Sequence, residues 1–443
     1  MAKADRFKEI SFEKLIEQLD KKWIEEALEM TGTATVRRRR LPAEQVIWLL
    51  LGMALYRELT IPEVAAKLGL ALPEAGGGLT VAPSALPQAR ARLGEEPMCW
   101  LFDRCSEKWA TESALKHAWR GLSVFGIDGT SLRVPDSPAN RAHFGGQTTT
   151  EEKGESGYPL ARLVTVMALR SHLLLAARLG PREIGEVTLA QELWPLVPNH
   201  SLCIVDRGFL SAPSLLPYSM QGSNRYWLTR AKKNTQLRVI RKLGKNDHLV
   251  ELDISREARK NDPSLPEHWI VRAVVYQRRG FQPQLLLTSL LDHKQYPAGA
   301  LAALYHERWE LELGFDEVKT EMLEREETLR SKSPRGIAQE LWAIGLVYNL
   351  VRLEMERIAA AAGLPPVRIS FVMSLRLIKD FWFYTSLNSP GMIPKRLHNL
   401  RLDILRYVLP PRRSQRTFPR AVKVKMSSYP RKRTTATHGP VGA

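Results

Sequence analysis

Leu122-Ser123-Val124-Phe125-Gly126-Ile127-Asp128 is a mostly apolar run closed by an acid, and the chain repeats the pattern at Ser201-Leu202-Cys203-Ile204-Val205-Asp206. Short apolar runs bounded by turn formers read as strands buried on both faces. Each acid is followed closely by glycine, in Asp128-Gly129-Thr130 and Asp206-Arg207-Gly208-Phe209, so the backbone can turn sharply there. In an open α/β sheet, a carboxylate at the C-terminal end of a strand faces the crevice where ligands bind. Taken singly, such an acid is more often a turn former. Together the two offer hard oxygen ligands to a divalent cation.

Outward from this pair, residues 163–169 and 173–179 are further apolar runs with a short turn between them, and 187–194 reads as a helix stopped near Pro195. This section is α/β. Residues 226–292 differ: the runs 249–254, 269–276 and 284–289 are rich in β formers and broken by Asn-Asp and Arg-Gly pairs. Two hairpins or a small sheet is the natural reading. After Pro297 the periodicity predicts helices over 298–325, 334–361 and about 369–385.

Upstream, residues 1–117 read as helical. Phe12, Leu15, Ile16 and Leu19 recur at helical spacing, and Arg37 to Arg40 form a positive block, either a solvated loop or a phosphate contact. Thr60-Ile61-Pro62-Glu63 has the pattern of a capping box, opening a short helix over 63–68 that Gly69 can stop. Past the Gly-rich stretch 72–78, a second helix near Ser84 would carry Gln88, Arg90 and Arg92. Two short helices with Arg and Gln on the second can form a helix-turn-helix reader of DNA. The connection is long for the tight version, and a plain helical bundle is the alternative.

With 443 residues, 44% hydrophobic and 25% charged, the chain can bury a sizeable core in two to four domains, which excludes collagen-like, mucin-like and wholly disordered proteins. Lys and Arg exceed Asp and Glu by 18 charges, which favours polyanion partners. Residues 395–433 carry 13 basic residues against one acid, Asp403, about two-thirds of the excess, so the last part of this tail is expected to stay disordered until it meets a partner. The three cysteines form no CxxC pair, which argues against a disulfide scaffold or structural zinc and fits a reducing cytosol. The N-terminus lacks the apolar segment of a signal peptide. The longest apolar run, residues 46–56, is too short to span a bilayer and reads as a buried helix.

The helix after Pro297 offers a third acid. At about 100° per residue, with Tyr305 at zero, Arg308 lies near 300°, Lys319 near 320° and Glu312 near 340°: one polar ridge within about 60°. Leu304, Leu311, Phe315, Val318 and Met322 cluster between about 220° and 280° as a core-facing stripe. A carboxylate flanked by two cations and a phenol suits metal-assisted chemistry on a phosphate backbone. An ordinary charged face is the alternative, since the segment also holds Glu307, Glu310 and Glu317, and Asp316, near 20°, rivals Glu312.

Tyr305-x2-Arg308-x3-Glu312-x6-Lys319 resembles the Y-(2)-R-(3)-E-(6)-K signature of bacterial DDE transposases of the insertion sequence four family. Asp128 and Asp206, in their contexts, resemble that family's first and second catalytic aspartates, and Leu41-Pro42 through Gly52-Met53-Ala54-Leu55-Tyr56-Arg57 resembles its N-terminal domain. The similarity covers roughly residues 10–385. It implies an α/β fold: an RNase H-like catalytic core interrupted by a β-rich insertion, with an N-terminal helical DNA-binding domain and a basic C-terminal tail. The expected divisions are 1–117, 118–225, 226–297, 298–390 and 391–443.

The resemblance further implies two-metal cleavage and strand transfer on DNA. Asp128 would bridge two Mg²⁺ ions, with Mn²⁺ as a substitute, Asp206 on one and Glu312 on the other. Tyr305, Arg308 and Lys319 would hold phosphates beside the cut. The partners implied are double-stranded DNA, as terminal inverted repeats and as target, and a second copy of the chain on paired ends; the location implied is the bacterial cytoplasm, on the nucleoid. Some members excise through a DNA hairpin while a Trp of the insertion stacks on a flipped base. Trp269 is the candidate stacker and Trp227 the reserve, against a core role for either. A metal-dependent nuclease without strand transfer and a non-catalytic DNA-binding descendant are the alternative functions.

Overall fold

The computed structural model describes residues 19–34, 41–70, 81–146, 158–278, 281–323, 329–385 and 392–411. The helical spacing of Phe12 to Ile16, the Arg37 to Arg40 block, the Gly-rich stretch and the basic tail past 411 lie outside them.

Five helices come first: α1 (Lys21–Met30), α2 (Ala43–Leu55), α3 (Ile61–Lys67), α4 (Ala85–Leu93) and α5 (Glu96–Lys116). The long apolar run is α2, buried on nearly every face, as a helix without a polar side must be. The capping box forms as read: Glu63 N–H donates to Thr60 Oγ1 and Thr60 N–H to the Glu63 carboxylate.

The sheet follows: β1 (Ser123–Arg133), α6 (Pro138–Phe144), β2 (Leu160–Ala168), β3 (Leu174–Pro181), α7 (Glu186–Gln191), β4 (Ser201–Val205), α8 (Ala212–Met220), β5 (Arg225–Arg230), β6 (Arg238–Gly244), β7 (Asp247–Asp253), α9 (Arg256–Asn261), β8 (His268–Tyr276) and β9 (Gln284–Thr288). The strand order among the described residues is β3-β2-β1-β4-β5-β9-β8-β7-β6. The pairs β1–β4 and β4–β5 are parallel and the others antiparallel.

Two features differ from the sequence reading. The β-rich section is not a separate sheet, because β9 pairs with β5 through Leu228↔Thr288 and its neighbours, so it prolongs the sheet that carries the acids. The boundary expected at 225/226 falls at the head of β5, inside that sheet. Second, β1 does not end on Asp128. Its parallel pairing with β4 stops at Ile127↔Val205, but β2 keeps pairing it to Arg133↔Leu160.

The C-terminal part is helical: α10 (Ala298–Tyr305), a 3₁₀ turn (His306–Arg308), α11 (Trp309–Asp316), a π-helical segment (Glu317–Met322), α12 (Pro334–Ala361), α13 (Phe371–Thr385) and α14 (Ile393–Leu405). The uniform helix expected over 298–325 therefore tightens and then widens along its length, and the angles of a regular wheel hold only locally. The first part of the expected basic tail is folded as α14. Ile393, Leu400 and Ile404 of α14 are buried, and Arg401 pairs with Glu354.

The buried axis is α12, which packs on α5 and α2. Its polar core positions are all engaged. Asn349 accepts from Leu174 N–H and donates to Leu174 O and Ser106 Oγ. Glu356 meets Ser113 and His117, and Gln339 donates to Arg90 O. Glu340 receives Arg57 at 3.4 Å and Arg90 at 3.6 Å.

Arg90, expected to reach DNA from α4, is thereby corrected. It is 8% exposed, donates to Ser331 Oγ at 2.8 Å, and ties the N-terminal helices to α12. Arg92, one turn-side away, is exposed. Arg90→Ala strips a buried acid of one partner and should cost about 3 kcal/mol of stability, whereas Arg92→Ala should stay within about 0.5 kcal/mol of the parent. Urea unfolding of both variants measures the difference, and equal stabilities would refute the strut.

Candidate active site

The last parallel pair between β1 and β4, Ile127↔Val205, puts Asp128 and Asp206 next in line on neighbouring strands. Asp128 is partly buried and accepts from Gly129 N–H at 2.8 Å. Burial pushes its carboxyl up to about 6; the Gly129 hydrogen bond and Arg308 oppose this, while Glu186 and Asp206 add to it. Asp206 caps the 3₁₀ turn Arg207–Phe209 by accepting from Arg207 N–H at 2.5 Å.

Over this end of the sheet lies α11. It comes close because two contacts carry no side chain. A Cβ on Gly126 would stand 2.7 Å from Leu311 Cδ1, and one on Gly314 would stand 2.4 Å from Met167 Cε. The close approach sets the ridge beside the aspartates. Arg308 donates to Glu312 at 2.7 Å and stands 3.8 Å from Asp128 Oδ2, so the guanidinium links the first acid to the third. Tyr305 is half-buried and feels both Arg308 and Asp206; burial raises its hydroxyl pKa. Lys319, on the π segment, has its pKa lowered by burial, and it lines an apolar cavity with Thr130, Leu163, Thr165 and Met167.

The other acids of this segment are spoken for. Glu307 forms a two-pronged pair with Arg170, both contacts 2.9 Å. Glu310 is buried on His172 at 2.7 Å. Glu317 meets Arg352, His172 and Tyr348. Burial alone would raise the Glu317 pKa, but Arg352 and His172 outweigh it and hold it at about 2. Asp316 is exposed and accepts from Thr320 Oγ1 at 2.7 Å. Glu312 alone of these acids shares a partner with Asp128. A signal for this was present in the helical repeat: Glu310 and Glu317 lie near 140° and 120°, across the helix from Glu312 at about 340°. Their partners are 138 and 35 residues away, beyond local reading.

Asp128, Asp206 and Glu312 are all-oxygen donors of the kind that bind Mg²⁺ or Mn²⁺. As arranged, no three His, Cys, Asp or Glu side chains among the described residues are close enough to share an ion, since Glu312 is turned to Arg308. Trp269 and Trp227 are corrected as stackers. They are 7% and 0% exposed and pack on each other, centroids 5.0 Å apart, inside the sheet. The open ring near the site is Trp309, 51% exposed, with the Arg308 guanidinium 5.7 Å from its centroid. Glu186, at the start of α7 with its side chain over Gly129, is a further acid beside Asp128 that the sequence reading missed.

Residues 9–103 match the family described as "Insertion element 4 transposase N-terminal", and residues 119–350 match "Transposase DDE domain". The chain is 38% identical over 413 residues to "Transposase InsG for insertion sequence element IS4" of Escherichia coli K12, covering 93% of this chain and 92% of that one. The chain belongs to the insertion sequence 4 family of DDE transposases. It is 38% identical over 224 residues to "Putative transposase InsZ" of the same organism, covering 51% of this chain and 73% of that relative. A piggyBac transposase synaptic complex with hairpin DNA, solved by cryo-EM, aligns over 92% of this chain and 85% of its own at 12% identity and a TM-score of 0.39.

The DDE transposase family, to which this chain belongs, acts on DNA with divalent metal ions. No helix among the described residues is long and apolar enough to cross a membrane. The pairing of Glu317 with Arg352 gives a stability prediction. The folded-state pKa of Glu317 is depressed from 4.5 to about 2, so its stabilisation is full above about pH 4.5 and is lost as pH falls toward 2. Glu317→Gln leaves Arg352 buried without its countercharge and should cost about 3–5 kcal/mol near neutrality. The cost should shrink on acidification through that window, as chemical denaturation at stepped pH would show. A pH-independent difference would place the stabilisation elsewhere.

Proposed function

We propose that this transposase cuts the ends of its own insertion sequence and joins them to target DNA by two-metal phosphoryl transfer on an RNase H-like core. Three antiparallel strands followed by two parallel ones, in the order β3-β2-β1-β4-β5, support that core, with the acids on β1, after β4 and on the helix behind the sheet. The observation that carries the mechanism is the chain of contacts Asp128–Arg308–Glu312 above a second aspartate on the adjoining strand.

In this reading Asp128 would serve both ions, Asp206 one and Glu312 the other. Divalent ions held there would supply an attacking water or 3′-OH of lowered pKa and charge stabilisation for the leaving oxygen. Arg308 and Lys319 offer cations to the phosphates beside the cut, and Tyr305 a hydroxyl. Trp309, with its open ring, takes over the stacking role that Trp269 cannot fill. Terminal inverted repeats as substrate, a dimer on paired ends and a hairpin intermediate belong to this reading.

The first experiment mixes purified protein, Mg²⁺ and DNA spanning the flanks of its gene, and maps new 3′-OH ends at nucleotide resolution. Wild type should nick both element boundaries. Glu312→Gln should lose cleavage by at least about a thousandfold, the scale of a lost metal or transition-state contact, while binding DNA as before. Scattered nicks would favour a general nuclease. Boundary binding without nicks would favour a DNA-binding descendant.

Lys319→Ala should weaken binding to the mapped ends and reduce the slope of log affinity against log salt by about one. An unchanged slope in a salt titration would remove Lys319 from the phosphate contacts.

A further inference from the structure

Arg308 stands where the third acid and the first would have to meet. Its Nη2 donates to Glu312 Oε1 at 2.7 Å and its Nη1 lies 3.8 Å from Asp128 Oδ2. Its side chain is 15% exposed, more enclosed than Glu312 at 42%. We infer that Arg308 is a built-in counter-ion, which holds Glu312 and Asp128 and must turn outward before both carboxylates can serve one divalent cation, so that metal entry and phosphate capture are coupled through this one side chain. The inference rests on the reading of the three acids as metal ligands.

The physical argument has three steps. A guanidinium cannot leave by losing its proton, so it must move. Two positive charges within about 4 Å in a half-buried site repel strongly, so an ion shared by Asp128 and Glu312 displaces the guanidinium from both. Outward lie two seats: the exposed ring of Trp309, whose centroid is already 5.7 Å from Arg308 Cζ, and, when DNA is bound, a phosphate, which a guanidinium grips with two hydrogen bonds. A phosphate that draws Arg308 away frees Glu312 for metal, and by linkage metal strengthens phosphate binding by the same factor.

The test counts bound Mn²⁺ by the loss of the free-ion electron paramagnetic resonance signal, without DNA, for wild type, Arg308→Gln and Asp128→Asn. Arg308→Gln should bind Mn²⁺ at least about fivefold more tightly than wild type, the lower end of ordinary coupling factors, and Asp128→Asn should bind it more weakly. Equal or weaker binding by Arg308→Gln, with Asp128→Asn still impaired, would overturn the counter-ion role and leave the metal site standing. Identical binding by all three would remove the metal site itself. Circular dichroism checks the fold. Should Arg308→Gln not fold, Arg308→Lys, whose single ammonium cannot bridge both acids, carries the same prediction. Adding duplex DNA from the gene's flanks should then tighten Mn²⁺ binding more in wild type than in the variant, and equal tightening would refute the coupling.

Discussion

The neutralisation of three acids on one helix fixes the rest of the site. Glu307, Glu310 and Glu317 turn toward Arg170, His172 and Arg352, which come from the β2–β3 turn and from α12. Buried charges are tolerable only when paired, so this segment cannot rotate without stranding several at once. That constraint leaves Glu312 facing outward beside the aspartates. The turn that supplies two of the partners is itself constrained, since His172 sits at φ 63°, a conformation few side chains adopt. The catalytic ridge is thus set by charge pairing on its far side as much as by the apolar stripe beneath it.

Asp128 shows the cost of the arrangement. Its carboxyl is raised by burial and by two acidic neighbours, so ionising it disfavours the fold, and Arg308 offsets part of that penalty. A site that accepts divalent ions, as proposed here, would concentrate negative charge before they arrive. A tethered cation among the acids lets the protein fold without them. On the proposed role the same residue would serve stability in one state and phosphate binding in another, a reason for an arginine, which stays charged, in place of a lysine, whose pKa falls when buried. Lys319, whose pKa does fall, sits where no acid needs it.

What was legible in the sequence follows from the range of the forces involved. The strand that carries Asp128, the strand that ends just before Asp206, the capping box at Thr60 and the helix over 334–361 are local patterns of apolarity and hydrogen bonding, and each forms, with β1 running on past Asp128 to Arg133. The spacing Tyr305-Arg308-Glu312 survives a 3₁₀ turn and a short α-helix because three to seven residues accumulate little angular error. Long-range partners were not legible. That β9 pairs with β5, that Arg90 reaches Glu340 across 250 residues, and that Trp269 packs on Trp227 all depend on which surfaces meet. Charge and aromaticity alone mark Arg90 and Trp269 as DNA contacts, and burial reverses both. Trp309 falls near 40° on the same wheel, beside the polar ridge and away from the core-facing stripe, so its exposure follows the helical repeat.

The same distinction bears on how the site can change. Asp128 and Asp206 are fixed by strand pairing, α11 by Leu311 and Met167 against two glycines, and the N-terminal helices by the Arg57–Glu340–Arg90 cluster on α12. Packed interfaces of this kind hold discrete arrangements and do not deform gradually. Arg308 and Glu312, by contrast, are joined only by a side-chain ion pair, Glu312 exposed and Arg308 mostly enclosed, and an exchange of partners there would need rotamer changes alone. Assembly of the metal site therefore needs no movement of one layer of the fold against another. On the proposed role of Arg308 it would need an anion able to compete for one guanidinium, such as the phosphate backbone of a bound DNA end. If Arg308 acts as proposed, the acids would close around metal only with DNA in place, and the exchange of a single ion pair would protect against cutting at random.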